Sequence, residues 1–514
     1  MIKMNALLNS MKNVSNYTRT ENGALTHKTT KSDLLDMFAM GAAMRTRSDE
    51  DVILMFKKAF EENPSYALKC LFYIRDVRGG QGERRFFRVC MKWLASTHTE
   101  AARRNLKYIP EFGRWDDLYV FEGTKLHHDA FDLMKEQFML DLNCKTPSLL
   151  AKWLKSENAS SYESRRLGEV TAKHFGLTHK QYRKSLATLR TRINIVEKLM
   201  SENRWDEIEF DKIPSKAGII YKNAFARRDM IKAKYEKFAK DENTKVNAGT
   251  LYPYEVVEKA IALMGSHAYW GYSNKNVSLD NTDRLMINKY WANLTDYFNG
   301  SNLNALVMAD TSGSMMGTPI NVATSLALYT AEKAGGPFAN HYISFSSRPQ
   351  LIECEGVDFC DKVNRIVRTN LCENTNIEAA FDMLLNTAIK NHLSQDDMPD
   401  TIIVVSDMEF DQGTRIGYRG YGYGYGYNSN SYTAAADTLM ESIAKRWKQM
   451  GYEMPHLIYW NVNARQNNIP MLGNGRISYV SGFSPSIFQT IVTGKTGFQL
   501  MMEVLDGDRY SVIC

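Results

Sequence analysis

An all-α solenoid followed by a doubly wound α/β domain is the fold class this sequence predicts, and three observations predict it. Amphipathic helical patterns succeed one another with short breaks from about residue 31 to 300, with few strand signals among them. Beyond 300, apolar runs of strand length alternate with helical patterns, as in a parallel sheet covered on both faces. Two of those runs end on aspartate, at Asp310 and Asp407, where doubly wound sheets carry their ligands. Three segments follow: a flexible stretch 1–30, a helical domain 31–300 and an α/β domain 301–514.

Residues 1–30 are rich in Asn, Thr and Ser and are expected to be mobile. From Ser32 the apolar set Leu34, Leu35, Met37, Phe38, Ala39 and Met40 is broad enough for a largely buried helix. Segments 52–62 and 64–77 read as a helix pair split by Asn-Pro, and 84–96 as the next helix. Further helices are expected at 128–140, 149–155, 161–175, 179–200 and 217–239, with no repeat of fixed period. Segment 241–250 is the linker candidate, and 252–264 is again helical. Strands are expected at 303–309, 341–345, 401–405, 457–462 and 477–480, and helices at 320–334, 377–391, 434–450 and 485–492. The low-complexity run GYRGYGYGYGY (417–427) cannot pack a core. It is read as a surface tether, or alternatively as tyrosines with Arg415 and Arg419 touching RNA bases.

The bulk composition narrows the class. Of 514 residues, 44% are hydrophobic and 24% charged, which is ordinary for a soluble globular protein. No stretch approaches the ~18 apolar residues a membrane helix needs, and the N-terminus lacks a secretory core. Seven scattered cysteines without CxxC spacing fit reduced thiols, a cytoplasmic setting and no zinc ribbon. Net charge is only +6, but residues 145–240 hold 22 Lys and Arg against 11 Asp and Glu. The rest of the chain is therefore net acidic. Such asymmetry suits a polyanion such as nucleic acid, or else marks solvated helix faces.

Oxygen ligands gather at three distant points: Asp310, Ser312 and Ser314 in DTSGS, Thr375 in ENTN, and Asp407 in VVSDM. Two carboxylates and three hydroxyls, with no His or Cys, suit a hard cation such as Mg²⁺. This set resembles the metal-ion-dependent adhesion site (MIDAS) of the von Willebrand factor A domain. The resemblance implies hydroxyl ligation by Ser312, Ser314 and Thr375, with Asp310 and Asp407 binding directly or through water. It also implies an open position for an acidic protein ligand. Met408-Glu409 stands where many such domains have glycine, and Glu373-Asn374 where small residues are frequent; Glu409 could compete with a partner's carboxylate.

The helical half carries YIRDVRGGQGERR (73–85), IPEFGRWDDL (109–118), AKWLKSE (151–157), YRKSLATLRTRINIVE (182–197) and IPSKAGIIYKNAFARRD (213–229). These segments resemble the TROVE module of Ro ribonucleoprotein autoantigens and their uncharacterised relatives, over residues from about 33 to 235. The resemblance implies a HEAT-like ring that binds small structured RNAs or single-stranded ends. Arg165, Arg166, Lys173, Lys180, Arg183, Lys184, Arg190 and Arg192 are the candidate RNA contacts, since cations neutralise phosphates. Tyr162 and Tyr182 either stack on bases or pack in the core. Residues 78–84 either cradle a phosphate at a helix start or form a structural turn.

The reading is a non-catalytic, ribonucleoprotein-type RNA-binding scaffold with a magnesium site. The alternative is a Mg²⁺-dependent protein-interaction module without RNA. No hydrolase, protease or P-loop motif supports an enzyme, and His341 and His456, at strand starts, read as structural.

Overall fold

The computed structural model describes residues 15–193, 196–249, 251–265, 277–345, 348–369, 374–413, 437–472 and 476–514. The expected tether at 417–427 lies outside them. Two compact units emerge. One comprises the described parts of Met1–Arg47, Tyr252–Val277 and Asp296–Val504; the other comprises Ser48–Leu251, Ser278–Thr295 and Leu505–Cys514. The division is thus interleaved along the chain rather than linear at residue 300. No described helix is long and apolar enough to cross a membrane.

The second unit is helical, and its helices begin where the sequence supplies caps. Ser48 accepts from Asp51 N (3.1 Å) at the start of Asp49–Glu62. Asn63 ends that helix and caps Pro64–Arg75 through Tyr66 N (3.2 Å), with Pro64 in the first turn. Arg84–Thr97, His127–Asn143, Tyr162–Phe175 and His179–Arg192 follow. The single helix expected at 217–239 is two, Ser215–Ala226 and Asp229–Lys240. Arg228 is extended between them, and its guanidinium stacks 3.9 Å over the Trp205 ring.

A buried ion network ties this unit together. Arg75, 2% exposed, donates from Nε to Asp117 Oδ2 (2.8 Å), while Arg88 Nε reaches Asp117 Oδ1 (2.7 Å). Gly113 must lack a side chain, because a Cβ there would lie 2.4 Å from Asp117 Oδ2. The segment 76–83 is a structural turn. Gln81 N donates to Tyr73 O (3.1 Å), Gln81 Nε2 to Tyr73 Oη (2.8 Å), and a Cβ on Gly80 would sit 2.0 Å from Tyr73 O. Asp76, wholly buried, accepts from Arg509 Nη2 (2.8 Å) and Tyr510 Oη (3.0 Å).

Among its described residues the first unit holds a six-stranded sheet: β3 (Ala305–Asp310), β4 (His341–Phe345), β5 (Gln350–Glu353), β6 (Thr401–Ser406), β7 (His456–Asn461) and β8 (Ile477–Ser481). Their order is β5-β4-β3-β6-β7-β8, parallel throughout except for β5, which runs antiparallel to β4. Every residue of β3 and β6 is buried, as expected for central strands between helical layers. Helices Thr318–Lys333, Ile377–Lys390 and Leu439–Gln449 alternate with the strands. Asp33–Met40 packs on β8, where Ser481 Oγ donates to Phe38 O (2.9 Å). Pro253–Met264 packs on Thr318–Lys333.

The expectation of a flexible segment over 1–30 is corrected for residues 15–30. Strands β1 (Tyr17–Arg19) and β2 (Leu25–His27) form an antiparallel hairpin. His27 and Ile469 exchange backbone bonds of 3.0 and 2.9 Å, and Gly23 bridges to Asp411. Its Asn, Thr and Ser side chains are consumed as bonding partners: Thr26 Oγ1, for example, donates to Ile469 O (2.8 Å).

Replacing Asp117 with Ala leaves Arg75 buried without its carboxylate, which should cost about 3–5 kcal/mol. Urea titration should show the loss as a lower unfolding midpoint.

Candidate functional site

The pairing of β3 with β6 builds the site. Their register aligns Ala309 with Val405, so Asp310 and Ser406 emerge side by side at the carboxyl edge. Ser406 Oγ donates to Asp310 Oδ2 (2.5 Å), and Ser312 N to Asp310 Oδ1 (2.9 Å). A 3-10 turn, Gly313–Met315, then brings Ser312 Oγ and Ser314 Oγ to 3.1 Å. After β6, Glu409 N donates to Asp407 Oδ1 (3.1 Å), and Asp407 also hydrogen-bonds Ser314. Met408 takes a left-handed conformation (φ 65°), held by its N–H on Ser406 Oγ (2.9 Å). That geometry explains why glycine is common at this position in similar loops and shows that Met408 adopts it here.

Asp310, Ser312, Thr375 and Asp407 are all buried, and Ser314 is half-buried. Burial, followed by the charge of Asp407, pushes the Asp310 carboxyl up to about 7. Burial also raises Asp407, against the opposing pull of Arg465, whose Nη2 lies 3.0 Å from Asp407 Oδ2. Thr375 joins through its neighbours: its carbonyl accepts from Asp411 N (2.9 Å) and its Oγ1 lies 3.5 Å from Asn22 Nδ2. Two facing carboxylates that resist ionisation, beside hydroxyl oxygens, make a donor set that a hard divalent cation would stabilise. Among the described residues, here or elsewhere, no group of three or more His, Cys, Asp or Glu is placed to hold a metal ion.

Two partners of this site, Arg465 and the β1–β2 hairpin, were not legible in the sequence. Arg465 bridges Asp407 and Glu21 Oε2 (2.6 Å). The turn of the β1–β2 hairpin sits at the same edge, with Thr20 Oγ1 on Phe410 O (2.7 Å) and Asn22 Nδ2 on Glu409 O (2.6 Å). Glu409, expected to compete with a partner's carboxylate, is instead fully buried. Its Oε2 accepts from Glu21 N (2.7 Å), its Oε1 has no hydrogen-bond partner, and burial pushes it up to about 7. Nearly 390 residues separate the hairpin from Glu409 (|i−j| = 388 for Glu21), so no local pattern could announce it. His456 holds Ser478 Oγ at 3.0 Å, and burial lowers it to about 4.

The eight basic candidates divide. Arg190 is locked internally, with Nε on Ala151 O (2.9 Å), Nη1 on Ser156 Oγ (2.8 Å) and Nη2 on Leu154 O (2.9 Å). Arg165 bonds Ala159 O and Ser160 O (both 2.8 Å), and Arg192 bonds Leu142 O (2.8 Å). Arg166 pairs with Glu122 (3.1 Å) and Glu163 (2.7 Å). Arg183 stands 3.6 Å from Glu157. Lys173, Lys180 and Lys184 are exposed on Tyr162–Phe175 and His179–Arg192. Tyr162 is 71% exposed, whereas Tyr182 is buried and donates to Lys155 O (2.8 Å). Beside them opens a cleft of about 630 Å³ whose lining includes Lys152, Trp153, Glu157, Arg183, Glu197 and Lys198.

Fold and site together define a two-unit protein, helical in one part and doubly wound α/β in the other, with a buried cluster of oxygen-bearing side chains at the sheet edge. The family described as a domain of unknown function (DUF2828) matches residues 20–121 and 139–301, just over half of the chain, and the chain belongs to it. A second family, also described as a domain of unknown function (DUF7788), matches residues 304–508. The chain is 27% identical over 544 residues to the uncharacterized protein L728 of Acanthamoeba polyphaga mimivirus, covering 96% of this chain and 88% of that one. Among solved structures it is similar to the Ro (RSR) protein of Deinococcus radiodurans, at 12% identity and a TM-score of 0.34, covering 92% and 93% of the two chains.

A carboxyl raised by folding stabilises the protein at low pH and withdraws that stability as pH rises through its folded value. Glu409→Gln should therefore flatten the decline in unfolding midpoint between about pH 4.5 and 7, a change read by thermal scans across that range.

Proposed function

We propose that this chain is a non-catalytic RNA-binding scaffold of Ro type, whose helical unit takes RNA and whose sheet edge holds a Mg²⁺ ion that docks an acidic ligand. The observation that carries the reading is the meeting of Asp310 and Asp407 at neighbouring strand ends, each charge opposed by burial. Ser312, Ser314 and Thr375 supply the hydroxyl complement. The strand order, with one reversed edge strand, supports the likeness to a von Willebrand factor A domain. When bound, the ion supplies a positive site that accepts an anionic oxygen. Arg465, 3.0 Å from Asp407, opposes the effect of burial on that carboxyl without cancelling it.

Calorimetric titration with MgCl₂ or MnCl₂ should give one site in the wild-type chain and none in Asp310→Ala. Binding that survives the substitution rules the ion out of this site.

The RNA half of the proposal rests on the TROVE-like motifs and on the exposed Lys173, Lys180 and Lys184. Each phosphate neutralised on a single strand contributes about 0.7 to the slope of log affinity against log salt. Replacing all three lysines with Ala should therefore reduce that slope by up to about 2 in filter binding. An absence of RNA affinity at low salt rejects this half. The engagement of Arg165, Arg166, Arg190 and Arg192 within the protein favours the second reading, a Mg²⁺-dependent protein-interaction module. Partner capture that survives nuclease and disappears with chelator would select it.

A further inference from the structure

The cleft beside His179–Arg192 has a lining of mixed sign that neither a simple anion nor a simple cation satisfies. Glu157 sits in it with its side chain only 4% exposed. Its Oε1 lies 2.6 Å from His179 Nδ1, but its Oε2 has no hydrogen-bond donor, the Arg183 guanidinium standing off at 3.6 Å. Glu197 repeats the pattern: Oε1 accepts from Tyr221 Oη (3.3 Å) while buried Oε2 has no donor. Unmet acceptors of this kind are costly in a folded protein unless something else donates to them. The same cleft holds three cations, Arg183, Lys152 (3.8 Å from Glu197 Oε1) and Lys198 (paired with Glu202 at 2.8 Å), and the half-buried ring of Trp153, on which Arg114 stacks at 4.0 Å.

Chemistry eliminates most occupants. An acidic peptide would meet two buried carboxylates, and a polyamine would meet three cations. A ligand with a neutral edge of donors and a separate anionic group satisfies both sets, and an aromatic body would use the Trp153 ring. A nucleotide has this make-up, and the cleft volume of about 630 Å³ is in the range of small-ligand sites. Among the four RNA bases, guanine alone places two adjacent donors, N1–H and N2–H, on its Watson–Crick edge. Adenine offers an acceptor beside its amino group, cytosine the same, and uracil a single donor flanked by carbonyls.

We propose that this cleft captures an unpaired guanine of single-stranded RNA, Glu157 accepting from its N1–H and N2–H, Trp153 stacking on the base, and Arg183 with Lys152 or Lys198 holding its phosphate. The proposal deepens the RNA reading above and rests on it. Arg190, locked by three bonds behind the cleft, keeps the wall rigid. Base-edge recognition and aromatic stacking are the usual means by which proteins select unpaired bases.

The test uses the full chain and fluorescein-labelled oligouridine carrying one central G, inosine, A, C or U, with affinity read by anisotropy at fixed salt. Guanine should bind about ten-fold tighter than A, C or U. Inosine, which lacks only the N2 amino group, should fall between. Glu157→Gln should erase the advantage of guanine over inosine while binding of the uridine probe persists, and Trp153→Leu should weaken every probe. Equal affinity for all five wild-type probes, or a guanine preference that survives Glu157→Gln, overturns this inference alone. Failure of every probe to bind overturns the RNA reading and this inference with it.

Discussion

Parallel pairing of β3 with β6 is the constraint from which the rest of the sheet unit follows. Both strands are wholly buried, so their register cannot slip without turning apolar side chains out of the core. That register carries Asp310 and Asp407 to one edge and makes each resist ionisation. The surroundings answer the resulting strain in kind. Ser406 donates to one carboxylate, Arg465 compensates the other, and the β1–β2 hairpin supplies hydrogen-bond donors to the buried loop behind them.

In the helical unit, the residues that make the sequence distinctive serve architecture rather than recognition. Gly113 lies against the Arg75–Asp117 pair and Gly80 against the Tyr73 carbonyl, and at either a Cβ would collide with carboxylate or backbone. Family membership read from such motifs therefore reports how the helices are braced. Under the RNA reading proposed above, recognition would fall to surfaces where polar groups are left unmatched. The helices between 162 and 201 offer such surfaces, with exposed lysines outside and unmet carboxylate oxygens within the cleft.

Buried strands were legible because long apolar runs have few other uses; the five expected strands agree with β3, β4, β6, β7 and β8 to within a few residues. Strand β5 was missed because it is an edge strand of four residues, mostly exposed, directly after Pro349, and so lacks an apolar run. The β1–β2 hairpin was missed because its polar composition resembles that of unstructured chain, and only distant partners give those side chains a role. The carboxylates of the site were readable from spacing because strand ends and tight turns are local. Arg465 was not, since it arrives from a loop 58 residues beyond Asp407. Helical periodicity likewise grouped Arg190 with its neighbours, although its guanidinium turns inward onto three acceptors.

The interleaving of the two units has a consequence for how this protein can be made, cut or rearranged. Asp76 is completed by Arg509 and Tyr510, more than 430 positions downstream, while the hairpin near residue 20 completes a loop around residue 410. A single break anywhere between these pairs strips partners from both halves at once. Excision of either half as one contiguous fragment would yield a polypeptide with orphaned buried charge. A module swap at one crossover between residues 76 and 410 would part the same pairs.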